Sequence, residues 1–171
     1  MKNLELGLSE AARQLPTVLV LASGRGTRFT ASGGTGPKLQ ADLCGKTVLE
    51  RTLDAVRASG RRVVLATNAH HKSVTLKMAR TGLTPRFDAI VSSHALGAAK
   101  EEQAFWQRLA EIEPFDPART VLVDDSLPVL DSARRYGIAH LVAVKKPDTM
   151  KPEKSTGDYP AIDDFSQLMP Q

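Results

Sequence analysis

Residues 120–126 read TVLVDDS, a short apolar run with β-branched residues that ends in two adjacent carboxylates. A run of this kind predicts a buried strand. Four other runs have the same character: TVLVL at 17–21, RRVVLAT at 61–67, FDAIVSS at 87–93 and HLVAV at 140–144. Segments with apolar residues at helical spacing lie between the runs. Strands that alternate with such helices are typical of βαβ units and a parallel sheet.

The segments between these strands predict four helices, at 47–58, 72–81, 100–111 and 128–136. Gly60, Gly82 and Gly137 follow three of them and act as helix ends. The sequence therefore predicts one α/β domain over 1–171, a Rossmann-like, doubly wound parallel sheet of about five strands with helices on both faces. Beyond Pro147 we expect an extended tail with little regular structure.

The composition is that of a globular protein, with 42% hydrophobic and 25% charged residues in 171. No apolar run is longer than a strand, so we expect no membrane span. The first sixteen residues, MKNLELGLSEAARQLP, lack the apolar stretch of a secretory signal. Cys44 is the one cysteine, which excludes an internal disulfide framework and a multi-cysteine zinc site. These features favour a cytoplasmic protein.

The net charge of +4 is distributed unevenly. Residues 1–86 carry 14 Lys and Arg against 5 Asp and Glu, whereas residues 87–171 carry 9 against 14. This asymmetry indicates either a site that pairs basic phosphate-binding groups with acidic metal-binding groups, or two segments of different origin. The basic residues have few aromatics between them, which argues against nucleic-acid binding. No feature of the sequence indicates an oligomeric state.

Polar residues follow the predicted strands, and ligands bind at the carboxyl ends of strands in open parallel sheets. Asp124 and Asp125 are hard oxygen ligands that suit Mg²⁺. The alternative is that Asp125 or Ser126 caps the next helix.

Two other segments are candidates for anion binding. Thr67 and Asn68 follow the second strand and can hold a phosphate oxygen, although the same pair also forms ordinary turns. Lys100 is predicted at the start of a helix, where its charge opposes the helix dipole, so a phosphate or carboxylate partner is expected. His70 and His71 lie in the loop after the second strand. Both a substrate contact and a solvated position are compatible with the sequence there.

Three features follow one another along the chain: a strand followed by Thr-Asn, a lysine that opens a helix, and a strand followed by Asp-Asp. In that order they resemble motifs II, III and IV of the haloacid-dehalogenase (HAD) superfamily. VVLATNAH, SSHALGAAKEEQAFWQ and TVLVDDSLPVLDSARRYGI are similar to its GMP/IMP nucleotidase branch. The resemblance implies the strand order 5-4-1-2-3 and a phosphomonoester hydrolase that uses Mg²⁺ and acts on nucleoside monophosphates. It also implies roles for individual residues: phosphate binding by Thr67, Asn68 and Lys100, and metal binding by Asp124 and Asp125.

The first motif of that family is absent. It is a strand that ends in D-x-D, where one Asp attacks phosphorus and the other acts as acid and base. Residues 21–26 read LASGRG and contain no carboxylate, so no nucleophile is found. Asp42 is the nearest look-alike, but Cys44 replaces the second Asp and no apolar strand precedes it. The interval before Thr67 is also too short for a cap domain.

The preceding segment resembles a different family. LASGRGTRF at 21–29 and GPKLQADLCGKTVLERTLDAV at 36–56 are similar to the start of molybdenum-cofactor nucleotidyltransferases, over about residues 17–58. In that family a glycine-rich loop wraps a nucleoside triphosphate and a lysine contacts its phosphates. The resemblance implies a nucleotide loop formed by Gly24, Gly26, Arg28 and Lys38.

The chain then divides into a nucleotidyltransferase-like segment (1–60), a HAD-like core (61–150) and a tail (151–171). Two resemblances in one chain indicate a chimeric sequence, with natural divergence as the alternative. Three functions stay open: a HAD-like phosphatase that is inactive without its nucleophile, a non-catalytic binder of nucleotide or phosphate (or a folding scaffold), and the remnant of a nucleotidyltransferase.

Overall fold

We describe the protein from a computed structural model, which defines residues 17–20, 42–43, 46–147, 152–163 and 165–168. The predicted nucleotide loop lies outside the described residues, as does Cys44. The predicted phosphate and metal residues all lie within them.

The centre of the protein is a six-stranded sheet in which every pairing is parallel. Its strands lie in the order β5-β4-β1-β6-β7-β8, and a separate antiparallel ribbon is formed by β2 and β3. In chain order the strands are β1 (Thr17–Val20), β2 (Asp42–Leu43), β3 (Lys46–Thr47), β4 (Arg62–Thr67), β5 (Ala89–Ser92), β6 (Thr120–Asp124), β7 (His140–Val144) and β8 (Ala161–Ile162).

Five helices accompany the strands: α1 (Val48–Ala58), α2 (His71–Thr81), α3 (Ser93–Leu96), α4 (Gln103–Ile112) and α5 (Leu127–Tyr136). Helix α1 begins with a capping box, in which the Thr47 hydroxyl accepts from the Glu50 N–H and the Glu50 carboxylate accepts from the Thr47 N–H. Helix α5 ends at Gly137, whose φ of 106° disfavours any residue with a β-carbon. Within the described residues, none of the helices is long and apolar enough to cross a membrane.

Helices cover both faces of the sheet because buried residues of one strand alternate between two apolar clusters. Val63 of β4 packs in the cluster that contains Leu53 of α1, while its neighbour Val64 packs in the cluster that contains Leu109 of α4. The second cluster also holds Trp106, which is fully buried and donates its indole N–H to the Ser132 hydroxyl at 3.0 Å. The α/β class with a parallel sheet, as predicted, is confirmed.

Two details differ from the prediction. A short sixth strand stands beside the five predicted ones, because the tail supplies β8, which pairs with β7. Two residues are too few to show a strand period, so β8 has no signal in the sequence. The helix predicted at 100–111 begins instead at Gln103, and Lys100 lies in the preceding loop, where the Glu102 carboxylate accepts from the Ala99 N–H at 3.1 Å.

Leu109→Ala and Leu76→Ala form a matched test of this packing, since Leu109 is fully buried in α4 and Leu76 is 54% exposed on α2. We expect Leu109→Ala to lower the free energy of unfolding by about 2–5 kcal/mol through lost contacts and a cavity. Leu76→Ala should change it by less than about 0.5 kcal/mol. Urea unfolding measures both, and equal losses would contradict the assignment of the core.

Candidate functional site

The carboxyl ends of β4, β1 and β6 lie side by side. Val20 at the end of β1 is level with Leu65 on one side and Val123 on the other. Two residues further along β4 lies Thr67, and one residue further along β6 lies Asp124. The predicted phosphate and metal residues therefore flank the end of the central strand, which is the edge where ligands bind in open parallel sheets.

A buried ion pair closes this edge. The Lys100 ammonium lies 3.0 Å from Oδ2 of Asp124, and the side chains are 2% and 0% exposed. The backbone N–H of Lys100 donates to Oδ1 of Asn68 at 3.1 Å, and the Asn68 amide donates to the Glu101 carboxylate at 2.9 Å. Lys100 is thus fixed to the loop after β4 at one end and to β6 at the other. Those strands are the two neighbours of β1, so the lysine connects the elements on either side of the central strand.

The charge of Asp124 depends on its cation. Burial raises the pKa of Asp124 above its usual range, while the Lys100 ammonium and the Ser126 N–H, which donates to Oδ1 at 2.8 Å, act in the opposite direction. A buried carboxylate without a paired cation takes up a proton instead of remaining charged. Asp124 is the carboxylate partner of Lys100, one of the two kinds of partner that the sequence predicted for this lysine.

The segment that follows β4 is a hydroxyl-stabilised turn. Buried Thr67 accepts the Ala69 N–H at its Oγ1 (3.1 Å), and the Ser92 hydroxyl donates to the Ala69 carbonyl (2.7 Å). The turn interpretation of Thr67 and Asn68 therefore describes their local structure, and their role in phosphate binding stays a prediction.

Asp125 makes a different ion pair. Its side chain is 10% exposed and its Oδ2 is bonded to the Lys154 ammonium, which also lies 3.3 Å from the Asp125 carbonyl oxygen. Asp124 and Asp125 are adjacent in sequence, yet each is neutralised by its own lysine. Ser126, the residue at the cap position of α5, makes no side-chain cap.

The described residues do not fit the predicted Mg²⁺ ion as they are arranged here. Mg²⁺ requires about six oxygen ligands in near-octahedral geometry. Both oxygens of Asp124 and one oxygen of Asp125 are already bonded to lysine or backbone donors. Among the residues that the structure describes, no group of three or more His, Cys, Asp or Glu side chains is placed to hold a metal.

Three histidines meet beside this edge. The ring centroids of His70 and His71 are 4.2 Å apart, and those of His70 and His94 are 5.2 Å apart. Sequence reasoning did not connect His94 with the other two. His70 and His71 follow β4, and His94 follows the adjacent strand β5. Sequence reasoning also missed Lys154, whose position in the tail carries no signal for a contact with Asp125.

The sequence is similar to those of known proteins. The chain is 36% identical to the GMP/IMP nucleotidase YrfG of Escherichia coli, over 69% of this chain and 53% of the relative. It is 31% identical to the 2-C-methyl-D-erythritol 4-phosphate cytidylyltransferase of Thermobifida fusca, over 75% of this chain and 51% of the relative. The chain thus spans about half the length of the curated relatives it matches.

The fold is that of HAD hydrolases. A HAD family hydrolase from Deinococcus radiodurans, solved with bound phosphate and sodium, superposes with a TM-score of 0.59 at 20% identity, over 71% of this chain and 56% of that one. By sequence, the chain belongs to the family of MobA-like NTP transferase domains, whose model matches residues 18–106. That match extends past residue 58, the expected end of the nucleotidyltransferase-like segment, and includes both Thr67 and Lys100. Both resemblances found in the sequence are therefore confirmed.

Lys100→Met tests the buried pair through the pH dependence of stability. The unpaired Asp124 would have a still higher pKa, so the folded state would hold a proton that the unfolded chain releases, and the free energy of unfolding would fall as the pH rises. We expect a loss of about 3–5 kcal/mol at neutral pH. The loss should shrink as the pH approaches about 4, the range in which an unfolded Asp titrates.

Urea unfolding at several pH values measures this dependence. The matched control is the double variant Lys100→Met with Asp124→Asn, in which no ionisable group of the pair is left and its contribution to the pH dependence disappears. The same loss for Lys100→Met at every pH would contradict the pairing.

Proposed function

We propose that the chain binds phosphate monoesters of the nucleoside monophosphate type at the carboxyl ends of β4, β1 and β6, and hydrolyses them at a negligible rate. The observation that carries this proposal is the buried Lys100 side chain, which connects the loop after β4 to Asp124 of β6, the two strands that flank the central strand. An ammonium has three N–H donors, and the bond to Asp124 uses one. Lys100 can therefore donate to an anion above β1 and keep its carboxylate partner.

Two further features support the anion site. The turn with Thr67 and Asn68 places a hydroxyl and backbone amides on the β4 side, and such groups bind phosphate oxygens. The similarity to a GMP/IMP nucleotidase and to a hydrolase solved with phosphate favours a phosphorylated ligand.

Negligible turnover follows from the residues that come after β1. Leu21 to Gly26 include Ser23 but no carboxylate, so the group that attacks phosphorus and the acid that assists it are both missing from this segment. Losing the attacking group of a catalytic unit costs several orders of magnitude in rate. Binding without turnover is the expected result.

Thr67→Val tests binding by removing the buried hydroxyl, and with it the acceptor of the Ala69 N–H. Calorimetry with GMP should show affinity that is weaker by roughly tenfold or more, the range for a lost hydrogen bond to a charged group. The control is Thr75→Val on α2, whose exposed hydroxyl donates to the His71 carbonyl and which should bind GMP like the unchanged chain.

Phosphate release from GMP and IMP is measured on the same samples. Turnover above roughly a thousandth of an ordinary phosphatase, whose kcat is about 10 s⁻¹, would contradict the non-catalytic assignment. Absence of GMP binding in the millimolar range would leave a folding scaffold as the function.

Ala22→Asp with Gly24→Asp restores the D-x-D pattern directly after the first strand. If the HAD-like core aligns this segment with its phosphate site, the double variant should release phosphate from GMP measurably faster than the unchanged chain. Ala22→Asn with Gly24→Asn is the control, since it adds similar side chains without a nucleophile or an acid. Equal rates for both double variants would contradict the alignment.

Nucleotidyl transfer is a second candidate. The MobA-like match and the cytidylyltransferase relative favour it, together with the pattern of Gly24, Gly26, Arg28 and Lys38. Pyrophosphate release from CTP or GTP in the presence of an acceptor alcohol or phosphate would identify this reaction and would not be produced by a phosphate-monoester binder.

A further inference from the structure

Lys154 reaches the edge of the sheet from a part of the chain that is distant in sequence. Its backbone N–H donates to the Lys145 carbonyl at 2.8 Å, directly after β7. Its ammonium is bonded to Oδ2 of Asp125 and lies 3.3 Å from the carbonyl oxygen of the same residue. A side-chain carboxylate and a backbone carbonyl that meet at one cation are the oxygen donors that a hard metal ion also takes.

The segment that carries Lys154 is held by tertiary contacts further along. The buried Tyr159 hydroxyl donates to Asp131 of α5 at 2.5 Å, and the Arg134 guanidinium lies 4.1 Å from the centre of the Tyr159 ring. Burial and the bond to Asp131 raise the pKa of Tyr159 to about 12, so this hydrogen bond persists at physiological pH. Two residues later β8 begins and pairs with β7. Lys154 is therefore presented to Asp125 by the fold.

We propose that Lys154 is a built-in cation that takes the place of a divalent metal at Asp125, so that the site binds its phosphate ligand without Mg²⁺. This inference rests on the proposed function. Each of the two adjacent carboxylates has an ammonium partner, Lys100 for Asp124 and Lys154 for Asp125. A divalent ion at the same oxygens would stand within a few ångströms of a like charge, and such repulsion is strong near a protein surface. Lys154 and a metal ion therefore exclude one another.

Removal of the lysine charge tests the inference with the metal alone. Mg²⁺ is titrated calorimetrically into the unchanged chain, Lys154→Ala and the control Lys146→Ala, which removes the same charge from an exposed lysine in the segment that follows β7. We expect Lys154→Ala to bind Mg²⁺ at least roughly tenfold more tightly than the other two, because a positive charge within bonding distance of Asp125 is gone. Thermal unfolding confirms that the variants are folded, as expected for an exposed lysine.

The second arm measures GMP binding with EDTA and with Mg²⁺. The unchanged chain should bind equally in both, whereas Lys154→Ala should bind weakly with EDTA and regain affinity when Mg²⁺ is added. Equal Mg²⁺ affinity in the unchanged chain and in Lys154→Ala would overturn the role of Lys154, and so would GMP binding by the unchanged chain that requires Mg²⁺. If no chain binds GMP, the proposed function fails, while the titration with Mg²⁺ alone still decides whether Lys154 excludes the metal.

Discussion

The buried ion pair between Lys100 and Asp124 is the constraint on which this edge of the sheet depends. Two charges that are removed from water cost several kcal/mol each unless geometry and further hydrogen bonds compensate. Here the compensation comes from the Ser126 N–H on the carboxylate, while Asn68 fixes the lysine backbone. These bonds connect the loop before α4 to the turn after β4 and to the end of β6, which are the neighbours of the end of β1. Lys100, which is only 2% exposed, therefore stabilises the structure and is also a candidate phosphate-binding residue.

Charge at the site is balanced locally. The sequence divides into a basic half and an acidic half, which indicates either a site that pairs basic phosphate-binding groups with acidic metal-binding groups or two segments of different origin. Both pairs at the edge join residues of the acidic half, Lys100 with Asp124 and Lys154 with Asp125. The overall asymmetry of charge therefore does not build the site. Two carboxylates and two ammoniums leave it close to neutral, and in this respect it differs from a carboxylate cluster that recruits a metal ion.

The strands and the helix patterns were predictable because buried β-runs and helical apolar spacing are local properties of the chain. The position of Asp124 was predictable too, because a residue at the end of an apolar strand lies at the carboxyl edge of a parallel sheet, where ligands bind in such folds. The start of α4 was misplaced because Lys100 and Glu101 have good helix propensity, and only the tertiary pairing of Lys100 shows that the loop turns into the core. Strand β8 and Lys154 were not predictable, because a two-residue strand and a lysine in a tail have no periodicity and acquire their roles through pairing with distant segments.

The chain resembles two families, and the two resemblances overlap. The MobA-like match covers residues 18–106, well beyond the first strand and helix. The strand with which the match begins, β1, occupies the centre of the sheet between β4 and β6. The most direct test of a phosphate site at this position is the change in backbone amide NMR shifts on addition of GMP. A site built around Lys100 predicts the largest changes at Asn68, Ala69, Lys100 and Ser126, with little effect on α1. Changes concentrated on α1, or spread evenly over the surface, would contradict it.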